Sequence, residues 1–588
     1  MIEWPPMFST LHPLDLAVLA VYFLVVTFLG VVVGKRKTRN LRDFFTAGGK
    51  WGSLVAFIYV FASSVGGAEA VVVGGAAYRS GLSGVWLWFA GGVGLIVYYI
   101  FAPIYKRVRV FNLAEVFEMR FGPGVATCIA IMGSLLSLFV IGTFALAVAK
   151  TIAGLTGWSV EITLLAACLV VALYVGSGGL MSSLLTDLFQ GVLSLTVFCF
   201  LLLPFLWGEV GGFQGLVNVA PERWSLFSEE IPLTYVLALI LGGLGAVATP
   251  ILFSFMVVGR DERAATQCAW SHIWKRIMTV LFAVYGIMFA IYKPGLHTQP
   301  LPQDTELVWG IVMKEIVPAG LLGLLVASFF AALMSTVDTV ATASSAMTVD
   351  YLFKKRWFPG RSQAFYLRWA RVGGVVAVLL AYLITLQFST LKEIVEFLAP
   401  LQGFLGIPLF FGIAWRGANR RGVWAALAVG ISLLWMVQIF HDGPPSTKVP
   451  MSVFPPIGAA ALTMYLVSRL TRPESETRLQ RFYCILNTPL GQDERLSAVG
   501  IRLPAMEGSD GGAQAEERLD EPALAQLYRS YSTRKICGRE SSIELVREPG
   551  LEWYYRGLLW FTLCCALMVS LVWAGSALMV FLSSQAGG

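Results

Sequence analysis

Histidine is nearly absent from this chain, with 4 in 588 residues, and charge is thin, at 13% for Asp, Glu, Lys and Arg together. The eight cysteines show no metal-type spacing, so they read as free thiols of small apolar character. An enzyme embedded in a membrane needs a nucleophile with its base, or a cluster of metal ligands, and this composition supplies neither. His12, His272, His297 and His441 fall in or beside predicted loops and make no proton relay. No cleaved secretory signal is expected either, because the first apolar run follows Glu3-Trp-Pro-Pro6 and is long enough to span.

What is abundant is apolar. Hydrophobic residues make up 57% of the chain, in recurring runs of the length a bilayer requires. The expectation is an all-α integral membrane protein with about fourteen transmembrane helices, near 13–33, 52–78, 83–104, 124–153, 159–176, 183–207, 233–258, 276–293, 318–350, 366–387, 391–415, 423–440, 451–470 and 557–583. Charge checks the alternation. The basic loops 35–42, 106–120, 260–276, 354–368 and 416–421 all fall on one side, the cytosolic one, if both termini lie outside. The net charge of +7 then reflects topology and contact with anionic membrane lipid, with no call for nucleic acid.

By composition the chain divides into 1–50, the first span and a basic loop; 51–207; an extracellular loop, 208–232; 233–415; two further spans, 416–470; a charged cytosolic segment, 471–556; and the last span, 557–588. The 471–556 segment carries an acidic patch at 507–521 and reads as partly disordered, with more ordered pieces at 479–496 and 523–531. Either a solvated tether or a regulatory module accounts for it.

Two spans are interrupted. One contains Ala62-Ser63-Ser64-Val65-Gly66-Gly67-Ala68-Glu69, and the other Gly242-Gly243-Leu-Gly245-Ala-Val-Ala-Thr249-Pro250. Glycine runs and proline weaken the helical ladder, and freed carbonyls at membrane depth must face protein or a wet cavity. Alternatively, the glycines serve close helix packing. The two spans lie five apart and so run in opposite directions, the layout of an inverted repeat whose broken helices mark a midplane site. A third span sets Ala332, Ser335, Thr336, Asp338 and Thr339 at helical spacing, so one face bears a ladder of oxygens. A buried carboxylate costs at least about 2.5 to 3.5 kcal/mol in hydrocarbon, which points such a face inward, toward ions or solute.

Asp43-Phe-Phe-Thr-Ala-Gly-Gly49, the run Gly176-Ser-Gly-Gly-Leu-Met-Ser-Ser-Leu-Leu-Thr186-Asp187-Leu-Phe-Gln190, and Ala331-Ala-Leu-Met-Ser-Thr-Val-Asp-Thr339 resemble the hallmarks of sodium:solute symporters. The resemblance covers roughly 10–470 and implies a LeuT-like core of five plus five inverted helices, its halves being 51–207 and 233–415. It further implies a sodium site of the Ala62, Val65 and Ala332 carbonyls with the Ser335 and Thr336 hydroxyls. A second ion or proton site falls on Asp187, Asp338 and Thr339, where a second carboxylate replaces a hydroxyl found in relatives. Candidate solute contacts are Ser63, Ser64, Gly67, Glu69, Thr249 and Gln402, with Glu69 equally open to a packing role. The expected function is sodium-coupled import of a small organic solute by alternating access in a plasma or inner membrane. The alternative is a transporter-like solute sensor that signals through 471–556.

Overall fold

A computed structural model describes residues 11–34, 38, 40–64, 67–175, 179–296, 304–503, 519–532 and 552–586. They form helices throughout: α1 Pro13–Thr27, α2 Ser53–Ser64, α3 Gly67–Ser80, α4 Leu95–Arg107, α5 Pro123–Thr156, α6 Val160–Val175, α7 Gly179–Leu195, α8 Leu233–Leu244, α9 Pro250–Val257, α10 Glu262–Tyr292, α11 Leu321–Ser345, α12 Gln363–Thr385, α13 Leu391–Ala414, α14 Arg420–Phe440, α15 Pro445–Leu470, α16 Glu476–Asn487, α17 Glu521–Ser532 and α18 Glu552–Ala586. Their ends follow local chemistry. Proline opens α1, α5, α9 and α15, where its missing N–H costs nothing, and Gly157, at a φ of +76°, closes α5. Thr390 and Glu393 form a capping box at the start of α13.

The expected count of fourteen is not reproduced. Among the described residues 11 helices are long and apolar enough to cross a membrane, or 12 when the bent pair of 233–257 counts as one span. Two expected spans are split or short, with α2 and α6 among the shorter apolar helices. The eighth span begins earlier than expected, at Glu262, so His272 lies inside α10 and is buried.

Burial ranks the helices. The stretch Leu321–Trp357 is 89% buried in its most apolar window and Trp553–Ala586 only 11%, so α11 is central and α18 peripheral. Around α11 pack α1, α2, α5, α7 and α12. The basic loops meet at one end of the bundle. Lys355 pairs with Glu115 at 2.6 Å, Arg107 with Glu262 at 2.9 Å, and Arg120 donates to the Ala418 carbonyl at 2.9 Å. Elsewhere Lys150 is buried between Asp304 and Glu306.

Residues 474–503 are no solvated tether. Leu479, Phe482, Tyr483, Ile485, Leu486 and Leu496 join the main hydrophobic core. The acidic patch lies mostly outside the described residues.

Candidate ion and solute site

Helix α2 ends at Ser64 and α3 starts at Gly67; Val65 lies outside the described residues. Ser63 Oγ is 2.9 Å from the Tyr59 carbonyl and 2.5 Å from Asp187 Oδ2. A hydroxyl has one proton, and the carboxylate is the stronger acceptor, so the Ser63 side chain is committed to α7. Ser64 Oγ donates to the Val60 carbonyl of its own helix.

The oxygen ladder of α11 faces α2. Thr336 Oγ1 donates to the Ser63 carbonyl at 2.8 Å and lies 3.2 Å from the Ala332 carbonyl, while Ser335 Oγ donates to that same carbonyl at 3.3 Å. Ala332, Ser335, Thr336, Asp338 and Thr339 are all buried. Ala62 is buried beneath α7, because a Cβ on Gly191 would come within 2.3 Å of the Ala62 Cβ. The approach of these two helices therefore requires glycine.

Asp187 anchors a polar node between α2, α7 and α11. Ser183 Oγ donates to Asp187 Oδ2 at 3.0 Å and sits 3.1 Å from Thr339 Oγ1, which is 3.0 Å from the Tyr59 hydroxyl. Asp187 Oδ1 is buried with no hydrogen-bond partner among the described residues. Such an oxygen suits a cation or a proton. Sequence reasoning passed over Ser183 and Tyr59, yet each lies four residues before a residue it singled out, on the same helical face.

The second break bends its span by 53° between Ala248 and Pro250. Thr249 is extended there, with Oγ1 donating to the Ala246 carbonyl at 2.7 Å. The glycines ahead of it serve packing: a Cβ on Gly245 would lie 2.1 Å from the Gln402 carbonyl, and one on Gly242 2.6 Å from the Ala399 carbonyl. Both accounts of the motif hold, glycine for the approach to α13 and proline for the bend. Gln402 thus lies against the 3₁₀ turn Gly245–Ala248 that leads to Thr249.

Gly67 packs on α11, where its Cβ would meet Phe329 at 2.9 Å. Glu69 takes the packing role left open above. Its carboxylate is wholly buried, 3.0 Å from Lys275 Nζ and 4.0 Å from Arg276 Nη1, and accepts from Thr279. As a ligand for a solute ammonium it is already occupied. The signal was hidden because Lys275 and Arg276 read as loop residues, whereas α10 runs about three and a half turns before reaching them.

A many-helix bundle with one span bent at a proline and a hydroxyl ladder on its central helix fits a membrane transporter. The chain belongs to the sodium:solute symporter family, whose profile matches residues 44–430, more than half of its length. Sodium is the coupled ion, and the chain is a symporter and not an enzyme. It is 24% identical over 498 residues to sodium/glucose cotransporter 4 of Danio rerio, covering 76% of this chain and 75% of the relative. It is 25% identical over 480 residues to sodium/proline symporter 2 of Staphylococcus saprophyticus, covering 77% and 92%. Among solved structures it resembles a substrate-bound, outward-open Na⁺-coupled sialic acid symporter, with a TM-score of 0.64 at 18% identity, over 79% of this chain and 99% of the other. The shared architecture is the LeuT-like inverted repeat.

Proposed function

We propose that this protein imports a small organic solute with sodium by alternating access across a plasma or inner membrane. Sodium sits among the Ala62, Val65 and Ala332 carbonyls and the Ser335 and Thr336 hydroxyls. The observation that carries this is the 2.8 Å bond from Thr336 Oγ1 to the Ser63 carbonyl, which brings the hydroxyl ladder against the end of α2. Neutral oxygens suit a hard monovalent cation that must also leave. A cation tying α2 to α11 favours the outward-open state, and solute then permits closure. Each sodium moving down the potential contributes about 2.3 kcal/mol per 100 mV.

Asp187, with Asp338 and Thr339 on the facing helix, forms the second ion or proton site, and the partnerless Oδ1 supports it. Solute binds where the two breaks offer polar groups: Ser64 and Gly67 at the first, Thr249 and Gln402 at the second. Ser63, bonded to Asp187, links solute and ion sites. The meeting of the basic loops at one end supports an orientation with both termini outside and 471–556 in the cytosol.

The test is uptake into proteoliposomes of labelled amino acids, carboxylates, sugars and vitamins, driven by a sodium gradient or by potassium. At least one solute should accumulate with sodium alone, and Ser335→Ala with Thr336→Ala should abolish that uptake in a folded protein. Wild-type uptake by the double variant contradicts the assignment.

A further inference from the structure

Residues 474–503 lie across the end of the bundle where the basic loops meet, and they grip both halves of the repeat. On the first half, the buried side chain of Arg109 pairs with Asp493 at 2.7 Å and donates to the Thr488 and Pro489 carbonyls at 3.2 and 2.7 Å. On the second half, Glu262 accepts the Leu490 amide at 3.3 Å, and the Tyr483 hydroxyl donates to the Gly412 carbonyl at 3.2 Å. Just beyond α13, Arg416 pairs with Glu476 and donates to the Tyr528 hydroxyl of α17 at 2.8 Å. Arg109 holds a left-handed φ of +54°, rare for a residue with a side chain, and points that side chain into the strap.

Alternating access moves one part of such a bundle against another. A segment fastened to several of the helices that meet at that end must release some of them whenever the end opens. We propose that residues 474–503, with α17, are a latch that holds the cytosolic end closed and sets the balance between outward- and inward-facing states. The polar contacts are built for release. The acids Asp493 and Glu476 are 40% and 58% exposed, so water reaches them as the contacts open, while the apolar face stays packed.

The latch rests on the symport reading, and sodium itself is the probe that separates the two. Sodium binds the outward-facing state, so its apparent affinity falls with the population of that state. Thermal unfolding of the purified full chain is followed while sodium replaces potassium at constant ionic strength. Arg109→Gln with Asp493→Asn should raise the half-saturating sodium concentration about tenfold, the effect of losing a hydrogen bond to a charged group. Glu476→Gln with Tyr528→Phe, a milder change at the Arg416 contact beyond α13, should shift it in the same direction. Arg109→Glu alone should reproduce the shift, and adding Asp493→Arg should reverse it, which a purely structural role would not do. Unshifted half-saturation in both double variants, or a shift that the charge swap leaves in place, overturns the latch alone. A wild-type protein stabilised no better by sodium than by potassium overturns the symport reading and the latch with it.

Discussion

At Thr336 a single hydroxyl joins α11 to α2, and at Asp187 a single carboxylate joins α7 to α2, with α11 reached through Ser183 and Thr339. Asp187→Asn keeps the shape and the bond to Ser63 but removes the charge. A hydrogen bond to a charged group contributes about 1.5 to 3 kcal/mol. The variant should fold and need at least about tenfold more sodium for half-maximal uptake, measured in proteoliposomes at fixed ionic strength. A wild-type sodium curve would remove Asp187 from ion binding. At the opposite end of the bundle, Lys150 donates to Glu306 at 2.5 Å and to the Ser389 carbonyl at 2.8 Å, and also pairs with Asp304. Glu306 in turn accepts the Leu391 and Lys392 amides at the start of α13. Lys150→Met strands two carboxylates, one of them buried, and should cost about 3 to 5 kcal/mol, read as a lowered thermal midpoint. An unchanged midpoint would mean that water already screens the cluster.

Among the elements, small residues fix how the helices cross. Gly191 lets α7 lie on Ala62, a proposed sodium ligand, and any side chain there forces the two helices apart. Gly191→Val should therefore abolish sodium-dependent stabilisation while far-ultraviolet circular dichroism stays helical, whereas Gly157→Asn, at a helix end with open space around it, should leave the sodium response intact. Loss in both would indicate general destabilisation. The oxygen ladder of α11 was legible because a polar string at a 3.6-residue period inside an apolar run has few other uses. The bend at Thr249–Pro250 was legible because proline removes a donor. The partner of Glu69 was not, because Lys275 sits at the apolar boundary of α10 and hydropathy alone starts the span just after it. Nor was the node of Tyr59, Ser183 and Thr339, since it depends on which faces of three helices meet, information that no single helix carries.

Over the whole molecule, residues 474–503 and 519–532 of the charged segment after α15 are part of the folded body. Its composition suggested solvent exposure because the counterions of its charges lie far away in sequence: Asp493 answers Arg109, Glu476 answers Arg416 and Glu474 answers Arg420. Cys484 reports on that packing. It is buried on α16, with Sγ 4.0 Å from the Leu524 carbonyl of α17, and burial pushes its thiol up to about 12. Thiolate is the reactive form, so at pH 8 only about one thiol in ten thousand is available, and raising the pH toward 12 increases that share. Mass spectrometry should find the Cys484 peptide unmodified by maleimide at pH 8, and rapid labelling would show that α16 is not packed against the bundle. The claim on which the account turns is a sodium ion held between α2 and α11. The most direct measurement is the thermal midpoint of purified protein in sodium against potassium chloride, for wild type and for Ser335→Ala with Thr336→Ala. Sodium at a hundred times its Kd should stabilise wild type by about 2.7 kcal/mol and the double variant not at all. Equal stabilisation of the two proteins by sodium would contradict it.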